Sequence, residues 1–350
     1  FSVFFSVMLH VAFKDCDLGV PIQFRTDGSV FNLRRLQART KVFSAVVRDL
    51  LFADDCALMA HSQESAQQLF DRLARAARRF GLTISLKKTE VMFQPSNRHT
   101  YAAPVIKAGV ETLKVVDKFC YLGSILSADA NIDDDISARL AKASAAYGRL
   151  RKRLWSEHGI KLATKVAVYK AVVLTTLLYG CESWTLYRRH IAKLDQFHLR
   201  CLRKIANIKW QDKVPNTSVL QRCKMSGIEA ILMGSQLRWI GHVIRMDDHR
   251  IPKQVLYSQL AHGTRSCGGQ YKRYKDTLKA NLKACNIPTA DLEDRAMDRD
   301  GWRNECRKAV ESFEFRRVQN LKEKRHRNLR LAPAASVEFR CNVRSWMCGS

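Results

Sequence analysis

The sequence predicts an α+β chain with short strands in its first third and helices in the remainder. Short apolar runs set off by Asp-Gly, Gly and Pro fill the region up to about residue 130. From Asp133 onward, apolar residues instead recur at three- and four-residue spacing. An apolar fraction of 46% is enough for a packed core. No apolar run reaches the roughly 18 residues of a membrane span. The longest, Val166 to Cys181, is interrupted by Lys170.

The opening run, Phe1 to Phe13, is apolar but lacks a basic n-region and a small-residue cleavage site, so it reads as a helix rather than a secretory leader. Asp27-Gly28 marks a turn between two extended stretches, and Phe31 to Arg39 leads into a further strand or hairpin arm. Val46 to Phe52 and Cys56 to Ala60 read as two short strands joined through Asp54-Asp55. Ser62 is placed to cap the next helix, with Glu64 in its first turn. Ala66, Leu69, Phe70, Leu73, Ala77 and Phe80 form that helix's apolar stripe, and Gly81 ends it. Leu82 to Leu86 and Val91 to Phe93 read as strands flanking Lys87-Lys88-Thr89. Residues 94–104 form a loop, and Val115 to Ile125 another extended pair.

The helix after Asp133 carries Ile136, Leu140, Tyr147, Leu150 and Leu154 on one stripe. Its aspartates lie at the start and its basic residues at the end, as the helix dipole favours. Further helices are expected at about 161–178, 189–206, 228–246 and 271–285. Residues 299–330 should form a basic, exposed helix or tail.

Sixty Lys and Arg against 33 Asp and Glu leave a formal charge of +27. The excess is +5 over residues 1–130, +13 over 131–264 and +8 over 265–330. Such a field points to a polyanion, nucleic acid before an anionic membrane surface. The 11 cysteines are scattered, with no C-x-x-C pair. That pattern suits reduced thiols in cytosol or nucleus, not a secreted disulfide framework. The Walker, G-x-S-x-G and H-E-x-x-H motifs do not occur, so NTPase, α/β-hydrolase and zincin classes have no support.

Two adjacent carboxylates in an apolar hairpin are costly unless a cation meets them. Mg²⁺ suits them, being held by one or two carboxylates with substrate phosphates completing the shell. On a basic protein, this pattern points to metal-assisted phosphoryl transfer on nucleic acid. A solvated Asp-Asp turn is the alternative.

Four blocks, taken in order, carry a resemblance. Leu51-Phe52-Ala53-Asp54-Asp55 resembles the catalytic hairpin of reverse transcriptases of LINE-type, non-LTR retrotransposons. Gly81 to Met92, with Lys87-Lys88-Thr89, resembles the next palm motif of that family. Phe119-Cys120-Tyr121-Leu122-Gly123-Ser124 resembles its primer-grip hairpin. Leu237 to Met246, followed by Gly268 to Tyr274, is typical of the same elements, as is Phe31 to Leu36 upstream.

The resemblance implies a truncated palm over 1–100, a β connection over 101–130, a helical thumb over 131–210, a basic helical extension over 211–330 and a short tail over 331–350. It implies an RNA-directed DNA polymerase using Mg²⁺ (or Mn²⁺) and dNTPs on an RNA template with a DNA primer, in nucleus or cytoplasm. Asp54 would bind the catalytic metal and Asp55 would assist. Lys88 would lie near the departing pyrophosphate, and Phe52, Tyr121 and Gly123 near the nucleotide or primer end. Arg149, Arg151, Lys152 and Arg153 would grip duplex phosphates.

The family's palm also needs a third carboxylate on an earlier strand and a Gly/Gln-containing loop-helix. Neither is found, because Asp15, Asp17 and Asp27 follow the opening helix instead of preceding it. The chain is therefore expected to be a C-terminal fragment that does not polymerise alone, and a catalytically dead nucleic-acid-binding relic is the competing expectation. Cys341 and Cys348 stand where relatives begin a zinc knuckle, but C-x₆-C without a following His does not match zinc-ligand spacing. Lys322 to Arg330 fits either a nuclear localisation patch or a nucleic-acid tail.

Overall fold

A computed structural model describes residues 2–94, 102–262 and 272–331. Cys341, Cys348 and Gly268 to Tyr271 lie outside the described residues. Helix α1 (Ser2–Phe13) packs against α2 (Gln63–Arg79). The two bury Met8, Leu9, Ala12, Phe13, Leu69, Ala76 and Ala77 between them. α2 begins where the Ser62 hydroxyl accepts the Ser65 N–H and ends beside Gly81 at φ +72°.

Strands β1 (Val20–Phe24) and β2 (Phe43–Val47) pair antiparallel, Val20 opposite Val47 and Phe24 opposite Phe43. Asp27-Gly28 does turn, with Gly28 at φ +71°, but it is not the hairpin loop expected there. Leu33–Gln37 coils into a 3-10 turn, and β1 waits for β2. The reason is burial. Val30 sinks into the core built by the C-terminal helices, and its N–H donates to the Glu293 carboxylate at 2.6 Å.

β3 (Asp49–Phe52) and β4 (Asp55–Leu58) form a separate two-stranded hairpin. The stretch Leu82 to Leu86 corrects another expectation. It alternates half-buried and exposed as a strand would, yet it pairs with nothing and turns at Ser85, whose carbonyl accepts the Lys88 and Thr89 N–H groups. β5 (Glu90–Met92), β6 (Lys107–Ala108), β7 (Glu111–Thr112) and β8 (Lys114–Val116) follow. β5 pairs parallel with β8, and β6 pairs antiparallel with β7. β9 (Lys118–Tyr121) and β10 (Ser124–Ser127) close the strand-rich part as a tight hairpin.

α3 (Asp133–Arg149) runs into a π-helical turn, Arg151–Trp155. α4 (Leu162–Val168) continues through a second π-helical turn, Tyr169–Leu174, into α5 (Thr175–Leu177). With α6 (Arg188–Ile205) and α7 (Asn216–Arg222) they enclose the largest core, around Ile136, Tyr169, Leu177, Leu194, Leu202 and Ile228.

α8 (Ile228–Ile244) leads into the C-terminal core, which is completed by α9 (Ile251–Tyr257), α10 (Tyr274–Ala284), α11 (Leu292–Met297) and α12 (Arg299–Leu331). Strand β11 (Ser258–Leu260) returns to pair with β1. The expected exposed basic helix is therefore only half exposed: Trp302 and Cys306 are buried, and Val310 and Phe313 pack beside them against this core. Among the described residues, no helix is long and apolar enough to cross a membrane.

Candidate functional site

In the β3–β4 hairpin, Phe52 faces Asp55, so Ala53 and Asp54 form a two-residue loop. Such loops favour positive φ at the first position, and Ala53 takes φ +53°, a conformation glycine adopts more readily. Strain of this kind costs of order 1–3 kcal/mol and concentrates at functional sites. Leu51, Cys56 and Leu58 pack against the α1–α2 core. Alternation then sends Phe52 outward, 63% exposed at the hairpin tip. Burial pushes the Cys56 thiol up to about 11, helped by Asp49, which makes it a packing group and not a nucleophile. The Asp54 and Asp55 side chains are exposed and have no hydrogen-bond or ion-pair partner among the described residues.

The β9–β10 hairpin turns through Leu122 (φ +49°) and Gly123 (φ +82°), the two positive angles of a type I′ loop. Its Tyr121 hydroxyl donates to the Leu50 carbonyl at 3.0 Å and so joins the two hairpins. Burial raises the Tyr121 pKa, and the neighbouring Cys56 and Asp55 raise it further, so the phenol stays a donor.

The other side of the Leu122-Gly123 turn is fastened to α3. Arg139 Nη2 donates to the Gly123 carbonyl at 2.6 Å, and the guanidinium lies 4.4 Å over the Tyr179 ring. The Tyr179 hydroxyl donates to the Leu122 carbonyl at 3.3 Å. Asp135 is buried beneath this clamp. Its carboxylate accepts the Ile125 N–H at 3.0 Å and the Trp184 indole N–H at 2.9 Å, and lies 3.6 Å from Arg139. The Trp184 carbonyl in turn accepts the Gln236 amide, whose oxygen accepts Asn281 Nδ2 at 2.6 Å. Asp134 reaches back to Lys118 at 2.6 Å and to Ser127, and these hydrogen bonds hold its carboxyl below the usual range.

Three adjacent aspartates thus do separate work, since Asp133 receives Arg189 and the buried His190. In the sequence all three match the helix dipole alike, and neither Arg139 nor Tyr179 stands in a motif. Only the i,i+4 spacing of Asp135 and Arg139 could have drawn attention to the pair.

Lys88 sits exposed in the turn before β5 and makes no ion pair with Asp54 or Asp55. Arg149 ends α3, and Arg151, Lys152 and Arg153 form the first residues of the π-helical turn. All four are exposed and lack acidic partners among the described residues, so their charge is free for an anion. Trp239 is half-buried against the C-terminal core, its ring 5.4 Å from that of His242.

Two exposed, unpaired carboxylates fit one hard divalent cation whose remaining ligands are phosphates and water. They do not by themselves fit a two-metal centre. No cluster of three or more His, Cys, Asp or Glu able to hold a metal occurs among the described residues.

Comparison with known proteins gives two relatives. A transposon-derived protein of Caenorhabditis elegans is 26% identical over 250 residues, covering 67% of this chain and 85% of that protein. A retrovirus-related Pol polyprotein from a type-1 retrotransposable element R1 of Nasonia vitripennis is 25% identical over 147 residues. That match covers 39% of this chain and less than half, 44%, of the polyprotein. No family model and no solved structure matches the chain. The relatives support a retrotransposon-related origin and, through the Pol polyprotein, a coarse enzyme family.

Proposed function

We propose that this chain is part of an RNA-directed DNA polymerase of a non-LTR retrotransposon. Residues 1–100 would contribute to a palm, 101–130 to a primer-grip connection and 131–210 to a thumb. The observation that carries the reading is the strained Ala53–Asp54 tip, which presents two unpaired carboxylates and is tied through Tyr121 to the hairpin resembling a primer grip.

Asp54 and Asp55 would hold Mg²⁺, which when bound supplies charge neutralisation to the transferring phosphoryl group. The rest is done by the chain's own residues. Phe52 offers an apolar face at the tip for a base or sugar. Tyr121, Arg139 and Tyr179 set the height of the Leu122-Gly123 turn relative to the carboxylates. Arg149, Arg151, Lys152 and Arg153 contact duplex phosphates. Lys88 would serve the leaving pyrophosphate.

The test is primer extension on an RNA template with dNTPs and Mg²⁺. It uses the chain alone and the chain joined to a segment that supplies the third palm carboxylate. The chain alone should be silent. The joined protein should incorporate nucleotide, and Asp54→Asn should reduce incorporation by at least about 100-fold, the scale of losing an electrostatic catalytic group. Incorporation that survives Asp54→Asn refutes the reading.

The excess of 60 Lys and Arg over 33 Asp and Glu also supports a second reading, a nucleic-acid-binding relic held to polyanions by charge. That reading predicts hybrid binding indifferent to Asp54→Asn and no incorporation by either protein.

A further inference from the structure

α12 is 33 residues long, about 50 Å at 1.5 Å per residue. Its first half is held by the C-terminal core, through Trp302, Cys306, Val310 and Phe313. The last fixed point is the Glu314–Arg317 pair, where Glu314 also accepts the Gly227 N–H at 2.7 Å. Beyond it Val318 and Gln319 are still half-buried, and every residue from Asn320 to Asn328 is exposed.

This free end carries Lys322, Lys324, Arg325 and Arg327 against the single carboxylate of Glu323. None of the four cations has an ion-pair partner among the described residues. At 100° per residue they stand at roughly 0°, 200°, 300° and 140° around the axis, so positive charge encircles the helix. Like charges three residues apart, Lys322 with Arg325 and Lys324 with Arg327, oppose helix formation when nothing neutralises them.

An anionic membrane surface would need one apolar face opposite the cations, and Asn320 to Asn328 offers Leu321 alone. A protein surface would need one side of the helix. A helix charged on all sides fits a groove with phosphates on both walls. The major groove of B-form DNA is about 12 Å wide and admits a helix of about 10–12 Å diameter. The A-form major groove is too narrow for side chains to read.

We propose that the free end of α12, from Asn320 to Asn328, is a duplex-DNA-binding element that lies in the major groove and is stabilised as a helix by the phosphates. This does not rest on the polymerase reading, because it needs neither Asp54 nor a metal.

The experiment is fluorescence anisotropy of the whole chain with a labelled DNA duplex, over a salt series. An RNA duplex of the same sequence and phosphatidylserine vesicles serve as comparisons. The variant Lys322→Gln/Lys324→Gln/Arg325→Gln/Arg327→Gln removes the charge and keeps good helix formers at fully exposed positions. Each lost phosphate contact lowers the salt slope by about 0.9. A loss of two to four contacts lowers it by about 2–4 and weakens DNA binding on the order of 100- to 1000-fold at 0.1 M salt. Affinity for the RNA duplex should change much less.

A second variant, His326→Pro, keeps the four cations and breaks the helix. It should lose a large part of the gain for DNA, and the rise in helical circular dichroism on adding DNA should vanish. Three results would each overturn the proposal: an unchanged DNA salt slope in the quadruple variant, equal losses on DNA and RNA or on vesicles, or a His326→Pro variant that binds DNA as the parent does. The last would mean a flexible charged tail.

Discussion

Replacing Gly241 with alanine should destabilise the chain, although the same change in an isolated helix would stabilise it. Gly241 lies inside α8, where Gly→Ala gains about 1 kcal/mol from helix propensity. A Cβ at this position would overlap Nε1 and Cδ1 of the Trp302 indole. Trp302 is 2% exposed, and its indole N–H donates to the Leu237 carbonyl at 2.9 Å. Forcing the ring aside costs about 1–3 kcal/mol in overpacking, and leaving that donor unsatisfied costs about 1–3 kcal/mol more. Against the propensity gain, the expected net loss is about 1–5 kcal/mol.

Equilibrium urea unfolding followed by tryptophan fluorescence measures it. A double-mutant cycle with Trp302→Leu isolates the cause, since the smaller side chain vacates the space. In that background Gly241→Ala should cost little or stabilise. If Gly241→Ala is as stable as the parent with Trp302 present, or costs the same in both backgrounds, the packing argument fails.

Other consequences follow from the buried polar groups. His198 is fully buried, with Nδ1 accepting from the Tyr169 hydroxyl at 2.9 Å and Nε2 facing the Ser226 carbonyl, and burial lowers its pKa from 6.5 to about 4. Because the folded state resists the proton, this contribution is complete above pH 6.5 and is lost as pH falls toward 4. It amounts to about 3 kcal/mol over the window. Urea midpoints across pH 4–7 should show this slope, and His198→Gln should flatten it. Asp135→Ala strands the buried Arg139 cation and two N–H donors and should cost about 3–5 kcal/mol in unfolding free energy. A loss under 1 kcal/mol would show the pair to be incidental. Tyr121→Phe should cost only about 1 kcal/mol in urea unfolding, the value of one hydrogen bond. In the joined protein it should lower incorporation more than it lowers stability. Equal effects on both would remove the link between the hairpins from the proposed mechanism.

Most helices could be read from the chain because their signal is local. Ser62, Glu64 and Gly81 bracket α2 through hydrogen bonds and backbone angles that involve only nearby residues. The stripes of α3, α6, α8 and α10 repeat at the helical period whatever they pack against. The hairpin around Asp54 was legible in outline, but its loop is Ala53-Asp54 and not Asp54-Asp55. The run from Val46 to Phe52 divides at Arg48, because Val47 pairs with β1 while Asp49–Phe52 pairs with β4. Where pairing decides the outcome, local reading failed. Leu82 to Leu86 has the alternation of a strand but no partner, and alternation reports burial on one side, not a hydrogen-bonded neighbour.

By itself the sequence determined the α+β character, the positive field, the position of most helices and the adjacent carboxylates with their retrotransposon-like context. Tertiary structure alone decided that β1 pairs with β2 and β11, and that Val30 belongs to a core whose other members lie more than 200 residues away. It also decided that Tyr121, Arg139, Tyr179 and Asp135 converge on one turn, and that α12 is half anchor and half free cationic rod. These are contacts between residues distant in sequence. Their energies depend on complementary shape and on excluding water from paired polar groups, which no local spacing encodes.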